Sequence, residues 1–377
     1  MKIGILTLPL HSNYGGILQA YALQTVLERM GHEVVVFQND YDGIKRFPIR
    51  KLPFIWGKRI LRRFNGNSSP IFLEYQKKKE MPIVTQYIHK FISQNINIYK
   101  VGNLNSISKD MFDAIIVGSD QIWRRSYTRR IWKTDIQNAF LQFASEWDIR
   151  RVAYAASFGI DNWDYTDKET IECSSLAKQF DGISVREDSG LLLCTKYLGV
   201  NAEHVLDPTM LLSAEDYINL IERAEVSKNV GSLFSYILDN NSKKTDFVNR
   251  LAERHKMKTY GITLSADYSL PIDKRINPSV ETWLRAFYDA ELVVTDSFHG
   301  CVFSIIFGKP FIALGNEKRG MSRFSSLLEM FGIEDNLVQN INDYSIERSY
   351  SLSEDVIYRL SAFQERSLNF LMMSLNK

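Results

Sequence analysis

One run of residues constrains the fold more than any other. Leu292-Val293-Val294-Thr295 is apolar and β-branched, and it gives way to Asp296-Ser297-Phe298-His299-Gly300. An apolar helix follows, Gly308-Lys309-Pro310 closes it, and Phe311 to Leu314 reads as a second strand. Strand, polar turn, helix and strand in so short a span predict one parallel α/β unit. Asp296, Ser297 and His299 then stand at the carboxyl end of a strand and the amino end of a helix. Open α/β sheets bind ligands there, and free backbone N–H groups favour anions. A histidine held at that point can hand a proton to a bound anion, because it titrates near neutrality. Capping of the turn is the competing reading of His299.

The same alternation runs through the chain. Residues 2–8 and 33–37 read as strands, with a helix from Gly16 to Met30 between them and Gly31 as its stop. Further strands are expected at Ala114–Val117, Val152–Ser157, Gly182–Val185 and His204–Leu206. Asp207-Pro208-Thr209 interrupts, and Ser213-Ala214-Glu215-Asp216 has the form of a helix cap, so the interdomain linker is placed there. A strand at Leu233–Leu238, a helix at Lys244–His255 and a strand at Lys258–Ile262 repeat the pattern. The architecture predicted is α/β, with two domains facing across a cleft: residues 1–212, then 213–350. A last helix, within 351–377, returns to brace the first domain.

At 377 residues the chain exceeds one ordinary core, which fits two domains. A formal charge of +2 gives no bulk attraction to nucleic acid, so no nucleic-acid partner is expected. Cys173, Cys194 and Cys301 lack metal-ligand or redox spacing. The start carries no signal-peptide pattern and no run is long enough to span a membrane, so a reducing, cytoplasmic location is expected.

Several strand ends carry candidate chemistry. His11-Ser12-Asn13-Tyr14-Gly15-Gly16-Ile17-Leu18-Gln19 joins the first strand to the first helix, and its paired glycines let a ligand approach the backbone closely. The spacing is not that of a dinucleotide fingerprint, so no such cofactor is expected. Val117-Gly118-Ser119-Asp120-Gln121-Ile122-Trp123 also follows a strand. Asp120 there could accept a proton from a sugar hydroxyl, or could cap a helix, and Trp123 could offer a face to a pyranose ring. Arg186, ending another strand, could grip a carboxylate or phosphate, or could pair with Glu187 or Asp188. After the His299 unit, Lys318, Arg319 and Arg323 form a basic loop suited to a phosphate, or simply solvated.

One segment stands apart from these motifs. Between residues 45 and 64 lie Lys45, Arg46, Arg50, Lys51, Lys58, Arg59, Arg62 and Arg63, interleaved with Phe47, Phe54, Ile55, Trp56, Ile60 and Phe64. No acid occurs until Glu74. Basic plus aromatic suits an anionic membrane surface or single-stranded nucleic acid, and a solvated loop is the plainer alternative.

In order and spacing, these motifs resemble the polysaccharide pyruvyl transferase family. The resemblance is carried by Asn13-Tyr14-Gly15-Gly16, Val117-Gly118-Ser119-Asp120, Ser184-Val185-Arg186-Glu187, Asp207-Pro208-Thr209 and Thr295-Asp296-Ser297-Phe298-His299-Gly300. It implies two Rossmann-like domains similar to GT-B glycosyltransferases, phosphoenolpyruvate as donor and a sugar diol as acceptor. The product implied is a pyruvate ketal on a surface polysaccharide or its lipid-linked precursor. His299 matches the family's active-site histidine and is expected as the general acid, or as a phosphate contact that steers the proton, with Asp120 as base. Arg186, Ser297, His299, Lys318 and Arg319 are expected to hold phosphoenolpyruvate. Asn13, Tyr14, Gly15, Gly16, Gln19 and Trp123 are expected on the acceptor side. No metal or organic cofactor is implied. Two departures stand out: Ser297 occupies a position where many members carry Arg, and Gly15-Gly16-Ile17 replaces an acidic first loop. A lipid-linked acceptor would place the protein at the inner membrane face through residues 45–64.

Two other readings compete. A GT-B glycosyltransferase using a nucleotide sugar would share the fold, and a non-catalytic glycan or membrane-surface protein would depend on residues 45–64 and not on His299.

Overall fold

The structure, a computed structural model, describes residues 1–44, 47–64, 66, 69–262, 267–315, 321–341 and 352–376. Among these residues the strands form two sheets. The first contains β1 (Lys2–Leu6), β2 (Glu33–Gln38), β3 (Ile98–Lys100), β4 (Ala114–Val117), β5 (Arg150–Ala156), β6 (Gly182–Val185) and β7 (Glu203–His204). Its order is β3-β2-β1-β4-β5-β6-β7, with every pairing parallel. The second contains β8 (Leu233–Tyr236), β9 (Thr259–Gly261), β10 (Leu292–Thr295), β11 (Phe311–Leu314) and β12 (Leu337–Val338). Its order is β12-β11-β10-β8-β9, again all parallel.

The central strands are apolar along their whole length because helices cover both faces of such sheets. Every residue of β4, β10 and β11 is buried. The sequence reading missed β3 and β12, which are short edge strands of three and two residues.

Strand order fixes where a ligand can enter. In the first sheet the order reverses between β1 and β4, and in the second between β8 and β10. Crevices open at the carboxyl ends of such switch points. The loop after β1 leads to Asn13–Gly16, the loop after β4 holds Asp120, and the first turn of the helix after β10 holds His299.

The two sheets share one apolar core. It runs from Ile17 and Leu18 through Met210 and Tyr217 to Trp283 and Phe303. The expected linker is part of that core. Pro208–Leu211 is a buried 3-10 turn, and Gln364 donates a hydrogen bond to the Met210 carbonyl. Asp207 caps this turn by accepting from the Thr209 amide, so the backbone turns inward here. The last helix, Glu354–Leu375, lies on the first sheet: Ser367 accepts from the Leu206 amide, and Phe370 meets Tyr154.

Candidate active site

The loop after β4 is a backbone made for close contact. Gly118 has φ +132°, and a Cβ on it would sit 2.0 Å from the Tyr154 carbonyl oxygen, so only glycine fits. Asp120, at φ 60°, follows in the left-handed region. Gln19 holds this turn from below: its side-chain oxygen accepts from the Ser119 amide at 3.0 Å, and its amide donates to Thr7 Oγ1 at 2.9 Å. Gln19 therefore ties β1, the first helix and the Asp120 turn together, and its groups are already bonded. It supports the site from beneath and offers nothing to an acceptor directly.

Arg186, at the end of β6, is the hub. Its Nη2 donates to Asp120 Oδ1 at 2.8 Å and its Nη1 to Asp207 Oδ2 at 2.6 Å. Both partners are buried with it. The sequence reading set a substrate grip against a pair with Glu187 or Asp188, and the structure shows neither as the main contact. Glu187 lies 3.9 Å from Nε and makes no hydrogen bond to it. The two aspartates take one N–H each from Nη1 and Nη2, so Arg186 serves first to hold the carboxylates together.

Asp207, given no role from the sequence, closes the other side. Its Oδ1 accepts from the Thr209 amide and hydroxyl, and its Oδ2 accepts from Arg186 and Ser119. The available signal was its position, one step past the strand ending in His204, Val205 and Leu206. His299 Nε2 lies 3.8 Å from Asp207 Oδ2, within electrostatic reach but beyond a hydrogen bond. That nitrogen is buried with no hydrogen-bond partner. On its other side the ring rests on the first helix, where a Cβ on Gly15 would fall 2.0 Å from Nδ1.

Burial opposes ionisation of Asp120 and Asp207, but Arg186 and the imidazole outweigh it and hold both carboxyls below the usual range. Burial raises Glu187, despite Arg186 nearby. Burial also pulls His299 below its ordinary value, helped by Arg186 and Arg323 and only partly offset by Asp207. Held below 6.5, the ring is predominantly neutral at pH 7. Arg323 is buried, and desolvation followed by repulsion from Arg186 brings it down to about 10. The Phe298 ring lies beside both cations, 4.8 Å from the Arg186 guanidinium carbon and 5.8 Å from that of Arg323.

The remaining expected residues are placed as follows. Ser297 is the N-cap of the Phe298–Ile306 helix and accepts from the Gly300 amide. Gly300 is needed there, because a Cβ would meet Thr295 Oγ1 at 2.2 Å. Asp296 points away from the cluster and accepts from the Leu238 and Asp239 amides and Lys244 Nζ. Asn13 is exposed at the start of the first helix, and Gly16 is half-buried beside it. Tyr14 is buried between the two halves, donating to the Pro278 carbonyl at 2.7 Å and stacking on Trp283.

Trp123 requires a correction. It is fully buried, stacked on Phe140 with ring centroids 4.8 Å apart, and its Nε1 donates to the Ala139 carbonyl. Both its apolar face and its polar edge are taken by the protein, so no pyranose can lie on it. Lys318 and Arg319 lie outside the described residues.

Taken together, the carboxyl ends of two parallel sheets place an imidazole, two ionised carboxylates and two guanidiniums in one buried cluster. The chain is similar to UDP-GlcNAc 2-epimerase from Methanocaldococcus jannaschii at 11% identity, covering 96% of this chain and 100% of that chain, with a TM-score of 0.50. It is also similar to UDP-GlcNAc 2-epimerase from Neisseria meningitidis bound to UDP-GlcNAc (10% identity, 99% and 94% covered, TM-score 0.49). A third similar structure is MurG of Acinetobacter baumannii (8% identity, 100% and 94% covered, TM-score 0.42). No curated protein sequence matches the chain. At such identity the likeness to the Methanocaldococcus jannaschii epimerase concerns fold alone, and with the sheet topology it defines a mixed α/β protein of GT-B-like architecture.

The family is narrower than the fold. The polysaccharide pyruvyl transferase model matches residues 13–318, and the chain belongs to that family. It is accordingly a transferase of polysaccharide biosynthesis.

Proposed function

We propose that the protein transfers the pyruvate unit of phosphoenolpyruvate to two hydroxyls of one sugar, forming a cyclic ketal. The observation that carries this reading is the placing of neutral, buried His299 between Gly15 and Asp207, in a chain whose family is pyruvyl transferase.

The donor is a dense anion, and its arrival at the His299 ring offsets the nearby guanidiniums. The imidazole can then hold a proton next to Asp207. His299 delivers that proton to the methylene carbon, which becomes a methyl group and leaves a cationic centre at the adjacent carbon. A sugar hydroxyl adds to that centre and its proton passes to Asp120, whose carboxylate is kept ionised by Arg186. The carbon–oxygen bond to phosphate then breaks. The second hydroxyl closes the ring, and its proton leaves with inorganic phosphate.

Ser297 and the amino end of its helix, Arg323, and the residues Lys318 and Arg319 supply the anion contacts in this reading, with Arg186 ordering the carboxylates. Asn13, Gly15 and Gly16 line the acceptor approach. The steps draw on no metal or organic cofactor. The acceptor is a surface glycan or its lipid-linked precursor, the latter met at an anionic membrane face on the cytoplasmic side.

The test is incubation with phosphoenolpyruvate and diol-bearing glycans, following products by mass spectrometry and phosphate release together. One phosphate released per pyruvylated glycan, lost in His299→Asn, is the expected result. Sugar transfer from a nucleotide sugar with no pyruvylated product would overturn the proposal.

A further inference from the structure

Residues 49–64 carry an apolar stripe turned the wrong way for a globular protein. The helix Leu52–Phe64 buries none of its residues. Its half-buried face is Leu52, Ile55, Trp56 and Arg59. Arg59 is fixed by a bidentate pair with Glu74 and by the Ile71 carbonyl, and Trp56 meets the edge of Phe72. Positions 54, 57, 61 and 64 fall on the opposite face at helical spacing. Phe54 is 76% exposed, Leu61 68% and Phe64 84%, and Ile49, just before the helix, is 84% exposed. A surface helix ordinarily hides such a stripe and shows its charges. Here charges border the stripe: Lys58 and Arg62 run along one side, Arg63 lies one turn past Arg59, and Arg50 and Lys51 come ahead of it, all exposed. The neighbouring Leu73–Val84 helix adds Lys77, Lys78, Lys79 and an exposed Tyr75.

We propose that this helix lies in the plane of an anionic lipid bilayer, with Phe54, Leu61 and Phe64 entering the headgroup boundary. The cations beside the stripe would rest on lipid phosphates. Charge decides between occupants. A second copy meeting this face symmetrically would bring the same cations together, which opposes association. Single-stranded nucleic acid would find stacking faces on Phe54 and Phe64 but none on Leu61 or Ile49.

The helix pair is also pinned to the cleft. Glu80 of the Leu73–Val84 helix pairs with Arg275 at 2.7 Å, and the Asn277 amide donates to the Val84 carbonyl. The next residue, Pro278, accepts from Tyr14, which precedes Gly15. These contacts link the helix pair to the residues just before Gly15, through which a membrane-held acceptor could be presented to the site. That last clause rests on the proposed pyruvyl transfer; the docking itself does not.

Co-flotation of the full chain with vesicles tests the docking without any substrate. Vesicles of equal phosphatidylglycerol and phosphatidylcholine are compared with phosphatidylcholine alone. Binding is expected to the first and not the second. Lys58→Gln/Arg62→Gln/Arg63→Gln should weaken it on the order of 100-fold, and Phe54→Ser/Leu61→Ser/Phe64→Ser about tenfold or more. Circular dichroism and thermal melting should be unchanged in both variants, which shows that they are folded. Equal binding to both vesicle types, full binding by either variant, or no vesicle binding at all would overturn the proposal. So would self-association through this face in sedimentation, abolished by the Ser variant, in place of vesicle binding.

Discussion

Gly15 and His299 touch across the cleft, so closely that a Cβ on Gly15 would stand 2.0 Å from the imidazole Nδ1. The contact joins the amino end of the first helix to that of the helix after β10, and thus the switch points of both sheets. It also leaves the imidazole only 7% exposed. In the proposed reaction, substrate entry therefore requires the first helix and the His299 helix to move apart.

Gly15→Ala tests the closeness of that contact. The added methyl must displace the ring, because the opposing atoms belong to a buried imidazole and not to a flexible surface chain. Displacement by about an ångström is expected to cost roughly 100-fold in kcat. Circular dichroism should remain native-like. Activity within twofold of the native protein would show that His299 does not act from this position.

Arg186→Ala should cost stability before it costs anything else. It leaves Asp120 and Asp207 buried without their shared cation, and loss of one partner from such a cluster costs about 3–5 kcal/mol. Arg186→Lys should recover part of this, since a single ammonium cannot serve both carboxylates with the geometry of a guanidinium. Denaturant unfolding measures both. Equal stability of all three proteins would refute the hub role.

Donor affinity should fall as pH rises. The ring lies below its ordinary 6.5, chiefly through burial, whereas beside the donor it must hold a proton. Binding then takes up a proton between the two values, weakening by up to about tenfold per pH unit. Calorimetry in buffers of different ionisation enthalpy reads the proton directly. His299→Asn should remove this component and leave that of the ligand phosphate.

The same groups set the acid limb of stability. His299 is lowered when folded, so its contribution is intact above 6.5 and is lost as pH falls below that value. Asp120 and Asp207 are also lowered, so the stability they add is present above 3.8 and disappears as pH falls through their folded values. Thermal melts should therefore decline in two stages on acidification. His299→Asn should reduce the upper stage and also shrink the lower one, because the imidazolium helps hold Asp120 and Asp207 low; His11, His32 and His204, also lowered by burial, supply the rest of the upper stage.

Trp123→Phe should leave acceptor KM unchanged, since the indole packs on Phe140 inside the protein. Trp123→Ala should destabilise by about 3–5 kcal/mol through the cavity it leaves. An acceptor KM raised in the Phe variant with stability intact would return Trp123 to the acceptor site.

Much of the fold was legible because long buried strands write themselves as apolar runs. Ala114–Val117, Gly182–Val185 and Phe311–Leu314 have the same limits in sequence and structure. Edge strands are paired on one side and short, and β3 and β12 carry no such run. Positions were more legible than contacts. That Asp120, Arg186 and His299 end their strands follows from local pattern, and the fold brings all three together. That Arg186 binds Asp120 and Asp207, rather than its neighbours Glu187 and Asp188, depends on pairings 66 and 21 residues away. Trp123 was misread for a related reason. An indole after a polar turn looks available, and only the long-range stack on Phe140 shows that it is not.

The central claim is that His299 and its carboxylates serve a phosphoenolpyruvate donor. Titration calorimetry with phosphoenolpyruvate, and separately with UDP-galactose and other nucleotide sugars, tests it most directly, with His299→Asn alongside. Phosphoenolpyruvate binding that weakens in the variant, with no response to nucleotide sugars, is the predicted result. Nucleotide-sugar binding with no heat from phosphoenolpyruvate would contradict it.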